Sequence, residues 1–229
     1  VLVQEHRLYP AVLRRFARRE GREAIEPHLK MMEHMQARLV SAPDLNTVRG
    51  LEGQGARHYF EALRTLLPIG IDFPGRHRRP PRDPVNVTLS LGYTVLANNL
   101  HTLVRLEGLN AHIGHLHATV PSGMALVSDL MEEFRAPVVD AVALNLWRQG
   151  QLHDTDFEWS TAPDEAPCHL KSAGRHVLID ALEAKLQSTM VHPATGRLMD
   201  LRRIMQSQVR HYLRVLLREE PVYRPFKLR

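Results

Sequence analysis

The chain has 229 residues, 44% of them hydrophobic, and carries a formal net charge of +5. It is long enough for one large domain or two small ones. It holds no apolar run of about 18 residues, so no membrane-spanning helix is expected, and its start does not read as a signal peptide. The single cysteine, Cys168, excludes an intramolecular disulfide framework and a cysteine-rich zinc module; it suits a reducing, cytoplasmic setting. The basic balance permits a polyanionic partner. Most of the cations are Arg, whose planar fork grips phosphate in a bidentate way.

Spacing of apolar residues at i, i+3 and i+4 predicts a mainly α chain. The first helical stretch is placed at about 10 to 40, broken at Pro27, with Met31, Met32, Met35 and Leu39 as its apolar stripe. "SAPD" (41–44) is a turn. A second helix is predicted over 47–67, burying Leu51, Tyr59, Phe60, Leu63, Leu66 and Leu67. A Pro- and Arg-rich loop follows. Asp83 as N-cap and Pro84 as first helical residue then open a third helix, which ends near Gly108.

Residues 109–122 read as a loop carrying His112, His115 and His117. A helix over 123–149, kinked or divided at Pro137, comes next. The stretch 150–170 looks irregular, with room for a short hairpin. Helices are placed at 172–190 and 197–219, and Pro221 ends the last. The first residue is Val, which suggests a fragment or a processed chain.

The helix after the histidine loop poses a chemical problem. It should bury Met124, Val127, Leu130, Met131 and Phe134, yet it carries Asp129 and Glu132 three residues apart on one face. Two like charges that close need compensation or full solvation. A divalent cation is one compensator: Mg²⁺ takes oxygen ligands, and manganese also tolerates an imidazole such as that of His117. Glu52, beside Gly53 and Gly55 early in its helix, is a candidate further ligand. Glycines there cost about 1 kcal/mol each against Ala and suit a place that a backbone or ligand must approach. Other readings stay open for each residue. Glu52 can be a helix-dipole partner, His117 a polar loop residue, and Asp129 and Glu132 a solvated face paired with Arg135. "HIGHLH" matches no closed structural zinc pattern.

Taken in order, "LEGQGARHYF", "GRHRRPPRDPVNVTLSLGYTVL", "GLNAHIGHLHA", "LVSDLMEEFRAPVVD" and the closing "YRPF" resemble the CRISPR-associated integrase family, the catalytic subunit of the spacer-acquisition complex. The resemblance is carried chiefly by residues 49–140. It implies a mainly α, helical catalytic domain over 46–229, with 1–45 as a helical lead-in after an amino-terminal β-domain that is missing here or lies upstream. It implies a Mg²⁺ or Mn²⁺ site held by Glu52, His117 and Glu132, with Asp129 as a further ligand or as an orienting group. Arg135 is then a candidate contact to the scissile phosphate, with a salt bridge to Glu132 or Asp129 as the other reading. His112 and His115 are not carried over as ligands. Many relatives have Pro where this chain has Glu133.

The activity implied is insertion of DNA spacers into a CRISPR array by attack of a 3′-hydroxyl on a phosphodiester, or cleavage when water takes that place. The alternative is a catalytically vestigial helical DNA-binding or scaffold subunit. Candidate DNA contacts are Arg76, Arg78, Arg79, Arg82, Arg203, Arg210 and Arg214, with a further cluster at Arg14, Arg15, Arg18, Arg19 and Arg22. Such patches bind phosphate, and their bland reading is a solvated helix face. Tyr93 joins the DNA contacts by resemblance, against ordinary core packing. Asn86 is read as support for its helix start. The implied partners are protospacer and CRISPR-repeat DNA, a second copy in the full-length protein, a small ferredoxin-like adaptation dimer and, in some members, a fused reverse transcriptase or other CRISPR module. The implied setting is the prokaryotic cytoplasm.

Overall fold

Asp44, Asp83 and Asp200 each cap a helix by accepting a hydrogen bond from the backbone N–H three residues on, at 2.7, 2.8 and 2.7 Å. These caps satisfy donors that the first helical turn leaves unpaired. They set the starts of three of the eight helices in the computed structural model, which describes residues 10–17, 21–77, 79–117, 123–161 and 167–227. Short α1 (Pro10–Phe16) is followed by α2 (Arg22–Leu39) and α3 (Leu45–Thr65), which pack on each other as a helical hairpin. The expected break at Pro27 does not occur. Pro27 forfeits one ladder bond, but Ile25, Leu29, Met32, Met35 and Leu39 are buried along α2 and hold it through that point. The chain turns instead at Gly21, where φ is +103° and a side chain would be strained. Met31, placed in the apolar stripe from sequence, faces solvent.

The third capped helix, α4 (Pro84–Leu106), lies at the centre and touches five later helical segments. Helix α5 (Ala125–Phe134) passes into a π-helical turn (Arg135–Asp140) and then α6 (Ala141–Arg148). Pro137 sits in that turn, so the predicted kink is a local change of helical pitch around a residue with no N–H to donate. A two-stranded antiparallel hairpin, β1 (Phe157–Trp159) and β2 (Cys168–Leu170), pairs Phe157 with Leu170. Helix α7 (Ser172–Gln187) ends earlier than expected, and α8 (Leu201–Leu216) begins later. Between them a second hairpin, β3 (Thr189–Val191) and β4 (Leu198–Asp200), replaces residues read as helix. Pro193 and Gly196, the latter at φ +68°, make its turn.

One hydrophobic core runs from Val12 and Leu13 to Tyr223 and Phe226, so residues on both sides of position 45 share it. A smaller cluster joins Met35 and Leu39 of α2, Val48 and Leu51 of α3, and Leu116 of the histidine loop. Among the described residues no helix is long and apolar enough to cross a membrane.

Helix α4 packs closely on the π-helical turn at Gly92. A Cβ there would stand 2.5 Å from Val139 Cγ1, well inside contact distance. Overpacking of this kind costs about 1–3 kcal/mol. Gly92→Ala is therefore expected to lower the urea midpoint by that order, and Val139→Ala in the same chain to recover part of the loss, giving a coupling measurable in a double-mutant cycle.

Candidate active site

Asp129 projects from α5 into the protein and is 1% exposed. An isolated buried carboxylate would be very costly, and four donors offset that cost. The backbone N–H groups of His115 and Leu116 donate to Oδ2, and that of His117 donates to Oδ1. His117 Nδ1 lies 2.7 Å from Oδ1. Gly114 lets the loop come this close: a Cβ on it would stand 2.7 Å from both Asp129 Oδ2 and the Ala125 carbonyl carbon. Burial pushes the Asp129 carboxyl up, but the His117 contact and the three backbone N–H groups outweigh it and hold the pKa below the usual range. The aspartate is therefore an acceptor, and the His117 proton belongs on Nδ1. In the neutral imidazole the lone pair is then on Nε2. The Asp129 hydrogen bond raises the His117 pKa, burial opposes it, and Glu132 adds to the rise.

Glu132, one turn along α5, has Oε1 3.9 Å from His117 Nε2. Arg135 Nη1 holds the same oxygen at 2.6 Å, so of the two readings left open for Arg135 the structure contains the salt bridge to Glu132. Glu52 reaches this region through its neighbours. Arg49 donates from Nε and Nη2 to the Leu116 carbonyl at 3.1 and 2.7 Å. Leu51 packs in the cluster that holds Leu116. The α3 turn bearing half-buried Glu52 thus lies against the loop bearing His117. These residues do not close to ligand spacing. Among the described residues, the only His, Cys, Asp or Glu trio with ligand atoms within 4.8 Å of one another is His28, His58 and Glu61, a group the sequence reading did not identify. At Gly53 a Cβ would meet nothing within 4 Å, so no other backbone approaches there.

The remaining candidates divide by environment. Tyr93 donates to Asp140 Oδ1 at 2.6 Å, and Tyr59 to Oδ2 at 2.7 Å. The guanidinium carbons of Arg76 and Arg135 each lie 5.3 Å from the Tyr93 ring centroid, within cation–π range. Burial raises the Asp140 carboxyl to about 6 against the pull of the two hydroxyls. Arg76 also donates to Asn86 Oδ1 and Ser90 Oγ. Asn86 is fully buried and joins Gly75, Arg76, His77 and Asp83, so it supports the helix start as read from sequence.

Arg79 and Arg82 are exposed, while Arg78, Arg18 and Arg19 lie outside the described residues. Arg203, Arg210 and Arg214 each pair with an acid: Asp200, Glu107 and Glu220. His112 Nδ1 contacts the Gly123 carbonyl, and His115 Nε2 the Tyr212 hydroxyl, so both rings have partners of their own. Glu133 is buried and accepts from Tyr223, Gln208 and the Phe226 N–H, which locks the closing "YRPF" segment onto α5. Its role was not legible from sequence, because its partners lie 75 to 93 residues away.

Fold and sequence pattern together define a mainly α domain of the CRISPR adaptation class. The family model described as CRISPR associated protein Cas1 matches residues 6–184, and the chain belongs to that family. It is 46% identical over 158 residues to CRISPR-associated endonuclease Cas1 1 of Thermus thermophilus, covering 69% of this chain and 48% of that protein. It is 36% identical over 214 residues to Cas1 3 of the same organism, covering 93% of this chain and 62% of that one. The chain thus spans about half to three fifths of these relatives. A partial Cas6-RT-Cas1–Cas2 complex superposes with a TM-score of 0.85 at 25% identity, covering all of this chain and 67% of that one.

Asp129→Asn removes the largest influence that raises the His117 pKa and leaves the burial that lowers it. The His117 ring, followed by two-dimensional NMR across pH, should titrate at a lower midpoint in the variant than in the parent. An unchanged midpoint would mean that the Asp129 contact does not stabilise the protonated His117 ring.

Proposed function

We propose that this chain is the catalytic part of a metal-dependent DNA integrase and endonuclease that inserts spacers into a CRISPR array. The observation that carries the reading is the buried Asp129 grip on His117 Nδ1, which leaves Nε2 facing Glu132 at 3.9 Å. A carboxylate behind an imidazole is the usual support of a metal-binding histidine. The donor chemistry of one imidazole nitrogen with the carboxylate oxygens of Glu132 and Glu52 fits Mn²⁺ or Mg²⁺. Both Asp129 oxygens are already engaged by four N–H groups, so Asp129 is assigned the orienting role and not that of a ligand. Such an ion supplies charge neutralisation at the phosphoryl oxygens.

The chain's own residues do the positioning. Asp129 fixes the His117 tautomer, and Arg135 holds the Glu132 carboxylate beside His117. Arg49 ties the Glu52 turn to the same loop. Phosphoryl transfer depends mainly on such placement and on electrostatics. In the proposed reaction the 3′-oxygen of incoming DNA forms a bond to a repeat phosphorus as the bond to the leaving 3′-oxygen breaks. The proton passes from the attacking to the departing hydroxyl. Water in place of the DNA hydroxyl gives cleavage.

Exposed Arg79 and Arg82, together with half-buried Arg76 and Tyr93, are assigned to the DNA backbone. Arg203, Arg210 and Arg214 would have to leave their acid partners to join them. Protospacer and repeat DNA are the proposed substrates, with a second copy and a small ferredoxin-like dimer as partners in the full-length protein. Support for that partner is the Cas2 named in the superposed complex. The RT named in the same complex supports a reverse-transcriptase fusion as a further context.

The test is transfer of a labelled DNA 3′ end into a CRISPR-repeat plasmid by the full-length protein with its small partner, in Mn²⁺ or in EDTA. Product should require the metal. His117→Ala and Glu52→Ala should each reduce it by at least about a hundredfold, and Asp129→Asn by roughly 10- to 100-fold. Metal-dependent transfer that survives His117→Ala would sink the assignment. DNA binding with no product under any metal would favour the vestigial scaffold.

A further inference from the structure

A second cluster of donors lies away from this site, between α2 and α3. His28 Nδ1 and His58 Nδ1 are 3.3 Å apart. Glu61 Oε2 lies 3.4 Å from the first and 3.6 Å from the second. Among the described residues this trio alone meets ligand spacing. The three separations are close to equal. Four-coordinate zinc, with bonds of about 2.0–2.1 Å, places neighbouring donor atoms about 3.3–3.4 Å apart. The trio therefore matches one triangular face of a tetrahedron with little adjustment.

The surroundings suit a cation. Arg57 Nε donates to Glu61 Oε1 at 3.1 Å, which holds that carboxylate by one oxygen and leaves Oε2 toward the histidines. The side chains of His28, His58 and Glu61 are 25%, 25% and 31% exposed, so water has access to a fourth position. Two imidazole nitrogens 3.3 Å apart need a shared proton or a cation between them, because two lone pairs repel. Two imidazoles against a single carboxylate favour zinc-class ions over Mg²⁺, which prefers a shell of oxygens.

We propose that His28, His58 and Glu61 form a zinc-class site that staples α2 to α3. The position gives it a consequence. His58 stands six residues after Glu52 on α3, roughly 9 Å along the axis at 1.5 Å per residue. The ion therefore lies outside the candidate active site but fixes the helix that supplies Arg49 and Glu52 to it.

The experiment uses the chain with His117→Ala and Glu132→Gln, so that the other imidazole–carboxylate pair is gone. After stripping with EDTA it is titrated with Zn²⁺ against a chromogenic chelator. One zinc per chain is expected. Adding His58→Gln should weaken binding by more than about a hundredfold, beyond the loss typical of an outer-sphere partner, with the circular dichroism of the chain retained. Zinc should also raise the melting temperature of the His117→Ala, Glu132→Gln chain but not that of the chain with His58→Gln added. A second measurement, X-ray absorption fine structure of the His117→Ala, Glu132→Gln chain with one equivalent of zinc, should count two imidazoles. A single imidazole, or zinc binding unchanged by His58→Gln and His28→Gln, would overturn the proposal. These outcomes are independent of strand transfer, so either reading can fail without the other.

Discussion

The arrangement depends first on one buried anion. Asp129 sits in the core-facing side of α5, where an unpaired carboxylate could not remain charged. It remains charged because the loop folds over it and turns three successive N–H groups and one imidazole toward its two oxygens. The same contacts order the loop. With Asp129 in place, His117 has one tautomer and one direction, and Leu116 is set to enter the gap between α2 and α3. Removing such a partner from a buried charge is far more damaging than losing an exposed pair. The packing of the loop, the aim of His117 and the closeness of the Glu52 turn are consequences of one carboxylate.

The rest of this helical segment repeats the device. Asp129, Glu133 and Asp140 are all buried, and each holds a different part of the chain. Asp129 takes the histidine loop. Glu133 takes the carboxy-terminal segment through Tyr223 and Phe226. Asp140 takes α3 and α4 through Tyr59 and Tyr93. A helix so rich in Leu, Val, Met and Phe can carry these carboxylates because every one meets hydrogen-bond donors, as buried polar groups must. Glu132 is less buried than these three, faces His117 Nε2 across 3.9 Å and pairs with Arg135.

The α2–α3 hairpin joins the two places proposed to hold a cation. One end carries Glu52 and Arg49 to the histidine loop, and further along the hairpin His28, His58 and Glu61 meet across the two helices. A rigid hairpin matters because Glu52 comes from a different element than His117 and Glu132. Ligands drawn from separate helices are only as well placed as the packing between those helices.

The amino-acid sequence by itself determined much of this. Helical spacing placed most of the helices, and Asp83–Pro84 placed the start of α4. The ordered motifs from "LEGQGARHYF" to "YRPF" pointed to the family. Those signals are local, or local pieces in a fixed order. What local signals could not supply was set by contacts distant in sequence. Pro27 reads as a break in isolation, yet burial of α2 carries the helix through it. Residues 189–190 and 198–200 read as helix ends, but with Pro193 and Gly196 between them they pair as a hairpin. Nothing in the sequence told which donors Asp129 would meet, because that depends on which N–H groups the loop presents after folding. The pairing of Arg135 with Glu132 likewise depends on how both side chains are placed after folding. His28 was an unremarkable helical residue until antiparallel packing set it against His58 and Glu61, 30 and 33 residues away. Periodicity determines which face of a helix is buried; only the tertiary fold decides which groups meet there, because a carboxylate's role is fixed by its partners and not by its place in the chain.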